Sequence, residues 1–400
     1  MPGFDFNTDK ADTMDKRYLP DYSGGSIVNL MASIAGRFGH RTGYAQLRQL
    51  PASVLKPYKK IILLVLDGMG YHFLQKQGED SWLKENLHAR MTSVFPSTTA
   101  SGITSFATGL PPDRHAITGW FVYLKELGVV SKVLFCQPRY GGGKFPEAGV
   151  DIKNLIGGDP IFDRLKAQSF MVTPGFIADG PFSKATRGRA VPVPYQDLSG
   201  LFAGMRSTLK RSRGQAFISA YWPEIDHLCH LHGTDSPKVK AHFRRLDKKI
   251  ASFWHSVKRE DVLLLITADH GLTDTPQQKV IELKDHPDLN QCLSLPLCGE
   301  PRVAYCYIHP DREKQFKQYV SSRLGKAGKL YSRGQVIQKG FYGPGPADPR
   351  LAERIGDFVL IMEDGWCLKD FLLGEEKVYL KAHHGGTTFQ EMLVPLVKAR

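Results

Sequence analysis

Two stretches of the chain, KKIILLVLDGMG and DVLLLITADHG, are continuously apolar and then break into an acid and glycines. Unalternating runs of Ile, Leu and Val bounded by turn residues predict strands buried on both faces, as in a parallel sheet. QAFISAYWPEIDH predicts a third, weaker strand of the same form. SPKVKAHFRRLDKKIASFWHSV lies between the last two of these strands with its apolar residues at helical spacing, and GGSIVNLMASIAGRFG shows that spacing earlier, before a glycine stop. The alternation predicts an α/β fold with a mostly parallel central sheet and helices on both faces. Ligand sites in such folds lie at the carboxyl ends of the strands.

The pattern changes after residue 285. Pro and Gly enter in LSLPLCGEP and FYGPGPADP, and the strands shorten to RVAYCYI and GDFVLIM. The expected organisation is an N-terminal arm and helix over 1–55, whose first 20 or so residues are polar, and a core over 56–285. An inserted α+β lobe covering the site follows over 286–375, and the chain returns to the core over 376–400.

Composition narrows the class without choosing a function. Of 400 residues, 42% are hydrophobic and 23% charged, which is ordinary for a folded globular chain. The longest apolar runs fall far short of the ~20 residues that a membrane helix requires, and the N-terminus has no apolar signal core. Six scattered cysteines form no C-x-x-C pair, so reduced thiols and a cytoplasmic location are expected. The formal net charge of +13 favours anionic partners. Its basic residues are dispersed among acids and apolar positions in RLKAQ, LKRSRGQ and FRRLDKK, which suits solvated faces better than a nucleic-acid surface.

Candidate chemistry gathers at the strand ends. Asp67 follows the first buried strand, Asp226 and His230 sit in YWPEIDHLCHLHG, Asp269 and His270 sit in TADHG, and His383 with His384 precede glycines in VYLKAHHGG. A strand-end Asp is more often a helix cap and a lone His more often structural. Four such places on one sheet rim carry more weight. With one of the late histidine pair they supply three carboxylates and three imidazoles, a mixed O/N set suited to zinc or manganese. Six ligands exceed one tetrahedral site and divide between two divalent ions, which ~4 Å apart can clamp a phosphoryl group in transfer. A nucleophile is offered by MTSVFPSTTASGITSFATGL. Pro96 stops the preceding segment, Ser97 or Thr98 can cap, and a short helix runs to Gly109, which places Thr99 where free N–H groups favour a phosphate oxygen. The blander reading is that the three hydroxyls only cap.

LVLDGMG, FPSTTASGITSFATGLPPDRHAI, PEIDHLCHLHG, TADHG and HHGG together resemble, in order and spacing, the alkaline phosphatase superfamily and its type I phosphodiesterase/nucleotide pyrophosphatase branch. The resemblance implies Thr99 as nucleophile, since the family's nucleophile precedes the closing Thr-Gly, here Thr108-Gly109, by nine positions. It implies one ion held by Asp226, His230 and His384 and a second by Asp67, Thr99, Asp269 and His270. His384 is preferred over His383 because the family pattern is S-H-G-G. Two positions depart from the branch: Trp120 stands where its diesterases carry a phosphate-holding asparagine, and PSTTA replaces the T-F-P-N of animal enzymes.

The implied activity is two-step hydrolysis of phosphodiesters or nucleotide pyrophosphates through a phosphothreonine. The substrate would be a phosphorylated, nucleotide-like small molecule, with no stable nucleic-acid partner and no membrane span. Phosphomonoester or phosphonate hydrolysis on the same fold is the alternative. A basic binding protein with a vestigial metal site is the alternative of another class. Sulfatase chemistry is disfavoured because CQPR at Cys136 lacks the required spacing, and a phosphoglycerate mutase would use serine. Trp120, Phe121 and Tyr123 could stack on a base, but aromatics at that spacing are more often core.

Overall fold

The computed structural model describes residues 18–400, so most of the expected polar arm lies outside the described residues. The central sheet has seven strands in the order Leu87–Thr92, Leu393–Ala399, Val262–Thr267, Lys60–Leu66, Ala216–Trp222, Gln168–Pro174, Val191–Tyr195. The last five are mutually parallel, and Leu393–Ala399 runs antiparallel to both of its neighbours. Every residue from Ile61 to Leu66 and from Val262 to Thr267 is buried, so helices cover both faces of the central strands. The Ile27–Arg37 helix packs on Thr99–Thr108, and Leu198–Arg211 packs on the strands and on Pro237–Val257. Among the described residues no helix is long and apolar enough to cross a membrane. All six cysteines are buried and unpaired.

The register decides where the site falls. Leu66 pairs with Trp222 and Val65 with Thr267, so three strands reach the same rim in phase and deliver Asp67, the Glu224–His232 helix and Ala268-Asp269-His270 side by side.

A second seven-stranded sheet follows the order Gly328–Ser332, Phe358–Met362, Val303–Cys306, Cys298–Glu300, Phe121–Leu124, Val129–Lys132, Gln137–Pro138. It differs from the expected lobe over 286–375 by recruiting three strands from residues 121–138, which the sequence reading placed in the core. The two halves meet where Gly299 pairs with Phe121. Contact is close because a Cβ on Gly119 would lie 2.9 Å from the Gly299 Cα. The aromatics of the recruited segment take structural roles: Phe121 lies under the Arg139 guanidinium and Tyr123 meets Tyr307 edge-on.

Candidate active site

The Thr99–Thr108 helix begins after Thr98, in extended backbone, and ends at Gly109 in the left-handed region (φ 72°). A Cβ on Gly102 would approach Asp269 Cβ to 2.7 Å, so the missing side chain lets this helix lie against the TADHG turn. Thr99, at the first helical position, therefore faces the strand-end acids. Its Oγ1 lies 3.0 Å from His270 Nε2 and 3.4 Å from Asp67 Oδ1.

Around Thr99 the acids and imidazoles form one continuous cluster. His270 Nε2 is 3.2 Å from Asp67 Oδ1 and 3.7 Å from Asp269 Oδ2. Asp226 and His230, one helical turn apart, bring Oδ2 and Nε2 to 3.2 Å, and His384 Nε2 lies 3.9 Å from Asp226 Oδ1. The late histidine arrives because Ala382–His383 pairs antiparallel with Thr273–Asp274 and Gly385 bridges to Ser97. That pairing turns His383 away, its Nδ1 meeting Thr275 Oγ1 at 3.0 Å, and turns His384 inward.

The hydrogen bonds leave ligand atoms free. A carbonyl only accepts, so Ala382 O at 2.7 Å from His230 Nδ1 and Gly271 O at 3.1 Å from His270 Nδ1 hold those nitrogens protonated and point both Nε2 atoms at the carboxylates. Asp269 Oδ1 accepts the N–H groups of Gly68 (3.3 Å) and His270 (3.1 Å). By contrast Asp226 Oδ1, Asp269 Oδ2 and His384 Nδ1 are buried without a hydrogen-bond partner. Buried unpaired polar atoms are costly. Three in one cluster fit a set of donors waiting for cations.

Electrostatics agree. Burial, reinforced by Asp67, pushes Asp269 up to about 7. Burial and the Asp226 charge raise Asp67 against the pull of His270 and Tyr221. On His270, burial favours the neutral form, but Asp269 and Asp67 outweigh it and lift the imidazole to about 10. Burial, then His270 and His230, holds His384 well below its ordinary range, which keeps its ring neutral. Anions are crowded here against their preference, and a divalent ion would relieve them.

All seven expected site residues thus converge. Two triads have ligand atoms mutually within 4.8 Å: Asp226, His230, His384 and Asp67, Asp226, His270. Asp226 belongs to both, and Asp269 joins through His270. Sequence reasoning missed Tyr221, whose hydroxyl donates to Asp67 Oδ2, and Glu300, whose Oε1 accepts from Thr98 Oγ1 at 2.6 Å and from Trp120 N at 2.8 Å. Trp120 does not enter the cluster and meets Phe135 edge-on. A depression of about 870 Å³ lies at the other end of the sheet beside Gln168 and Gln215. Its lining has no carboxylate or imidazole, so size does not mark the chemistry.

A parallel sheet with a carboxylate and imidazole cluster at its carboxyl rim, facing a helix-terminal threonine, defines an alkaline-phosphatase-like α/β protein. The sequence model of the type I phosphodiesterase/nucleotide pyrophosphatase family matches residues 61–387, and the chain belongs to that metal-dependent family. Human ectonucleotide pyrophosphatase/phosphodiesterase family member 5 is 26% identical over 338 residues, which cover 79% of this chain and 65% of that protein. The chain therefore spans just under two thirds of this curated relative. The solved murine ectonucleotide pyrophosphatase/phosphodiesterase 5 superposes with a TM-score of 0.63 at 18% identity, covering 84% of this chain and 87% of the other. An inactive variant of the murine protein was solved with AMP. Phosphonoacetate hydrolase from Sinorhizobium meliloti, solved with phosphonoformate, superposes with a TM-score of 0.62 at 18% identity, covering 86% and 90%. These superpositions establish a shared fold.

Proposed function

We propose that the protein hydrolyses nucleotide-like phosphodiesters or pyrophosphates through a phosphothreonine on Thr99. The observation that carries this reading is Thr99 Oγ1 at a helix N-terminus, 3.0 Å from His270 Nε2 and 3.4 Å from Asp67 Oδ1. Asp226, His230 and His384 would hold one divalent ion and Asp67, Thr99, Asp269 and His270 the other, with zinc favoured by the imidazoles and manganese by the carboxylates. When bound, such ions supply charge neutralisation to the phosphoryl oxygens and lower the pKa of water at the site.

The residues themselves supply position. As the Thr99 Oγ–P bond forms, the Thr99 proton passes to solvent, the P–O bond to the leaving group breaks, and the departing oxygen takes a proton from water. In the second half a water oxygen bonds to phosphorus, the Oγ–P bond breaks, and Thr99 recovers its proton. Free N–H groups of the helix amino end face the phosphoryl oxygens throughout. AMP bound to the murine relative supports a nucleotide monophosphate as product class. Phosphonate cleavage is a second reading, supported by the phosphonoacetate hydrolase neighbour and by Trp120, which carries no amide donor for a diester oxygen.

Turnover of bis-p-nitrophenyl phosphate, p-nitrophenyl phosphate and phosphonoacetate with added zinc or manganese tests the reading. Thr99→Ala should lower turnover of the preferred substrate by at least about a thousandfold, with metal content by elemental analysis little changed. Undiminished hydrolysis would move the nucleophile to water or Thr98. A wild type inert on all three substrates would sink the enzyme reading.

A further inference from the structure

Thr98 occupies the N-cap of the Thr99–Thr108 helix with extended backbone (φ −138°, ψ 154°), yet its side chain makes no capping hydrogen bond. A threonine so placed ordinarily turns its oxygen onto the N–H two or three residues ahead. Its Oγ1 instead donates to Glu300 Oε1 at 2.6 Å. The first backbone bond to close in the helix runs from Gly102 N to Thr98 O at 2.9 Å. The N–H groups of Thr99, Ala100 and Ser101 therefore find no acceptor inside the helix.

Glu300 is itself held in place. It ends a strand of the second sheet, is buried, and its Oε1 also accepts the Trp120 N–H at 2.8 Å. Gly385 presses on it, since a Cβ there would lie 2.8 Å from Glu300 Cβ. Three segments thus surround one side chain: the loop before Thr99 and the loop entering the second sheet bond its carboxyl group, and the loop that follows His384 packs on its Cβ.

A cap hydroxyl and a substrate oxygen compete for the same N–H groups. We infer that Glu300 is a positioning residue: by drawing the Thr98 hydroxyl off the cap, it keeps the amino end of the nucleophile helix open to an anionic oxygen of the substrate. The inference rests on the reading of Thr99 as nucleophile of a phosphoryl hydrolase. It differs from a purely structural role in one consequence: damage at Glu300 acts through the Thr98 hydroxyl and disappears when that hydroxyl is absent.

The test uses the metal-loaded full chain, with inorganic phosphate titrated by calorimetry and KM and kcat measured on the preferred ester. In Glu300→Ala the freed hydroxyl caps, and a typical cap bond in competition weakens phosphate about fivefold, with KM rising in parallel and kcat changing less. Glu300→Gln keeps both acceptor bonds and restores wild-type phosphate binding. The decisive comparison is Glu300→Ala/Thr98→Val, where no hydroxyl remains to cap and phosphate binding should return to within about twofold of wild type. A double variant as weak as Glu300→Ala, or a Glu300→Ala protein that binds phosphate as wild type does, overturns the inference. Should Glu300→Ala fail to fold, Thr98→Asn carries the test. Asparagine is a strong N-cap and should close the helix end, so unchanged phosphate binding there is equally fatal. Because calorimetry needs no turnover, the predicted ranking on a chain inert toward every ester would sustain the inference while the hydrolase reading falls.

Discussion

Arg302→Met offers a direct measure of how the second lobe supports the site. Arg302 is a fully buried cation whose Nε and Nη2 donate to Glu391 Oε1 at 2.9 Å and Oε2 at 2.7 Å. Its Nη1 donates to the carbonyls of Glu363 and Trp366, each at 2.5 Å. Glu391 also accepts Gly386 N–H at 2.8 Å and Thr388 Oγ1 at 2.6 Å, just beyond His384. Methionine keeps the volume and removes the charge, leaving a buried carboxylate with no counter-ion. Breaking a buried pair from one side costs about 3–5 kcal/mol. The pH dependence should invert as well. In the wild type burial pushes Glu391 up, but Arg302 and the hydrogen bonds to Thr388 and Gly386 outweigh it and hold the group below its ordinary value. A depressed folded-state pKa contributes stability above the unfolded carboxylate pKa, about 4.3, and loses it as pH falls through the folded value. Without Arg302 burial is opposed only by the lesser bonds, the folded pKa rises, and the variant's deficit should shrink toward pH 5. Urea midpoints and slopes at pH 7 and 5 measure both effects. Arg302→Met/Glu391→Leu should recover much of the loss. A single variant within about 1 kcal/mol of wild type at pH 7, below the cost of a broken buried pair, or a deficit that grows in acid, would refute the argument.

Asp269→Asn should lower metal affinity by at least about tenfold, seen as reduced occupancy by elemental analysis after dialysis; a fully loaded variant contradicts its place as a ligand. His115 is buried, with Nδ1 accepting Ile117 N–H at 3.1 Å and Nε2 meeting Ser105 Oγ at 3.1 Å, and burial, helped by Arg354, pulls it from 6.5 to about 3. Its folded pKa is depressed, so the unfolded chain takes up the proton first and stability falls as pH drops from 6.5 toward 3. His115→Gln should flatten that part of the stability curve, and superimposable slopes for the two proteins would show that His115 does not cause it.

The strand-end residues were legible because buried parallel strands are continuous in apolar residues and break abruptly. Once Leu66 pairs with Trp222 and Val65 with Thr267, the acids that follow must meet. The choice between His383 and His384 was not legible from local pattern, since both precede the glycines. With His383 paired to Thr273, its Nδ1 meets Thr275 Oγ1, whereas His384 Nε2 lies 3.9 Å from Asp226 Oδ1, so only tertiary pairing separates the two. Glu300 was hidden for another reason. In LCGEP it sits between turn residues, and only the pairing of Gly299 with Phe121 brings it to Thr98. Phe121–Leu124 and Val129–Lys132 are short and partly exposed, so their periodicity could not say which sheet they would join.

What the second lobe does follows from two side chains on either side of Pro301. Glu300 reaches forward to the Thr98 hydroxyl, and Arg302 reaches through Glu391 to the Gly386 N–H. One short turn therefore holds both the loop leading into Thr99 and the loop carrying His384, and Ser97 ties those loops to each other by donating to Gly386 O at 2.7 Å. A lobe that served only as a lid would leave the segments bearing Thr99 and His384 to the core. Here strand ends supply Asp67, Asp269 and His270 and the Glu224–His232 helix supplies Asp226 and His230, while Thr99, first in its helix, and His384, on a loop, neighbour segments tied to the second sheet. Substitutions in that lobe should then fall into two separable groups: changes at Glu300 read out in anion binding, and changes at Arg302 in stability and metal retention.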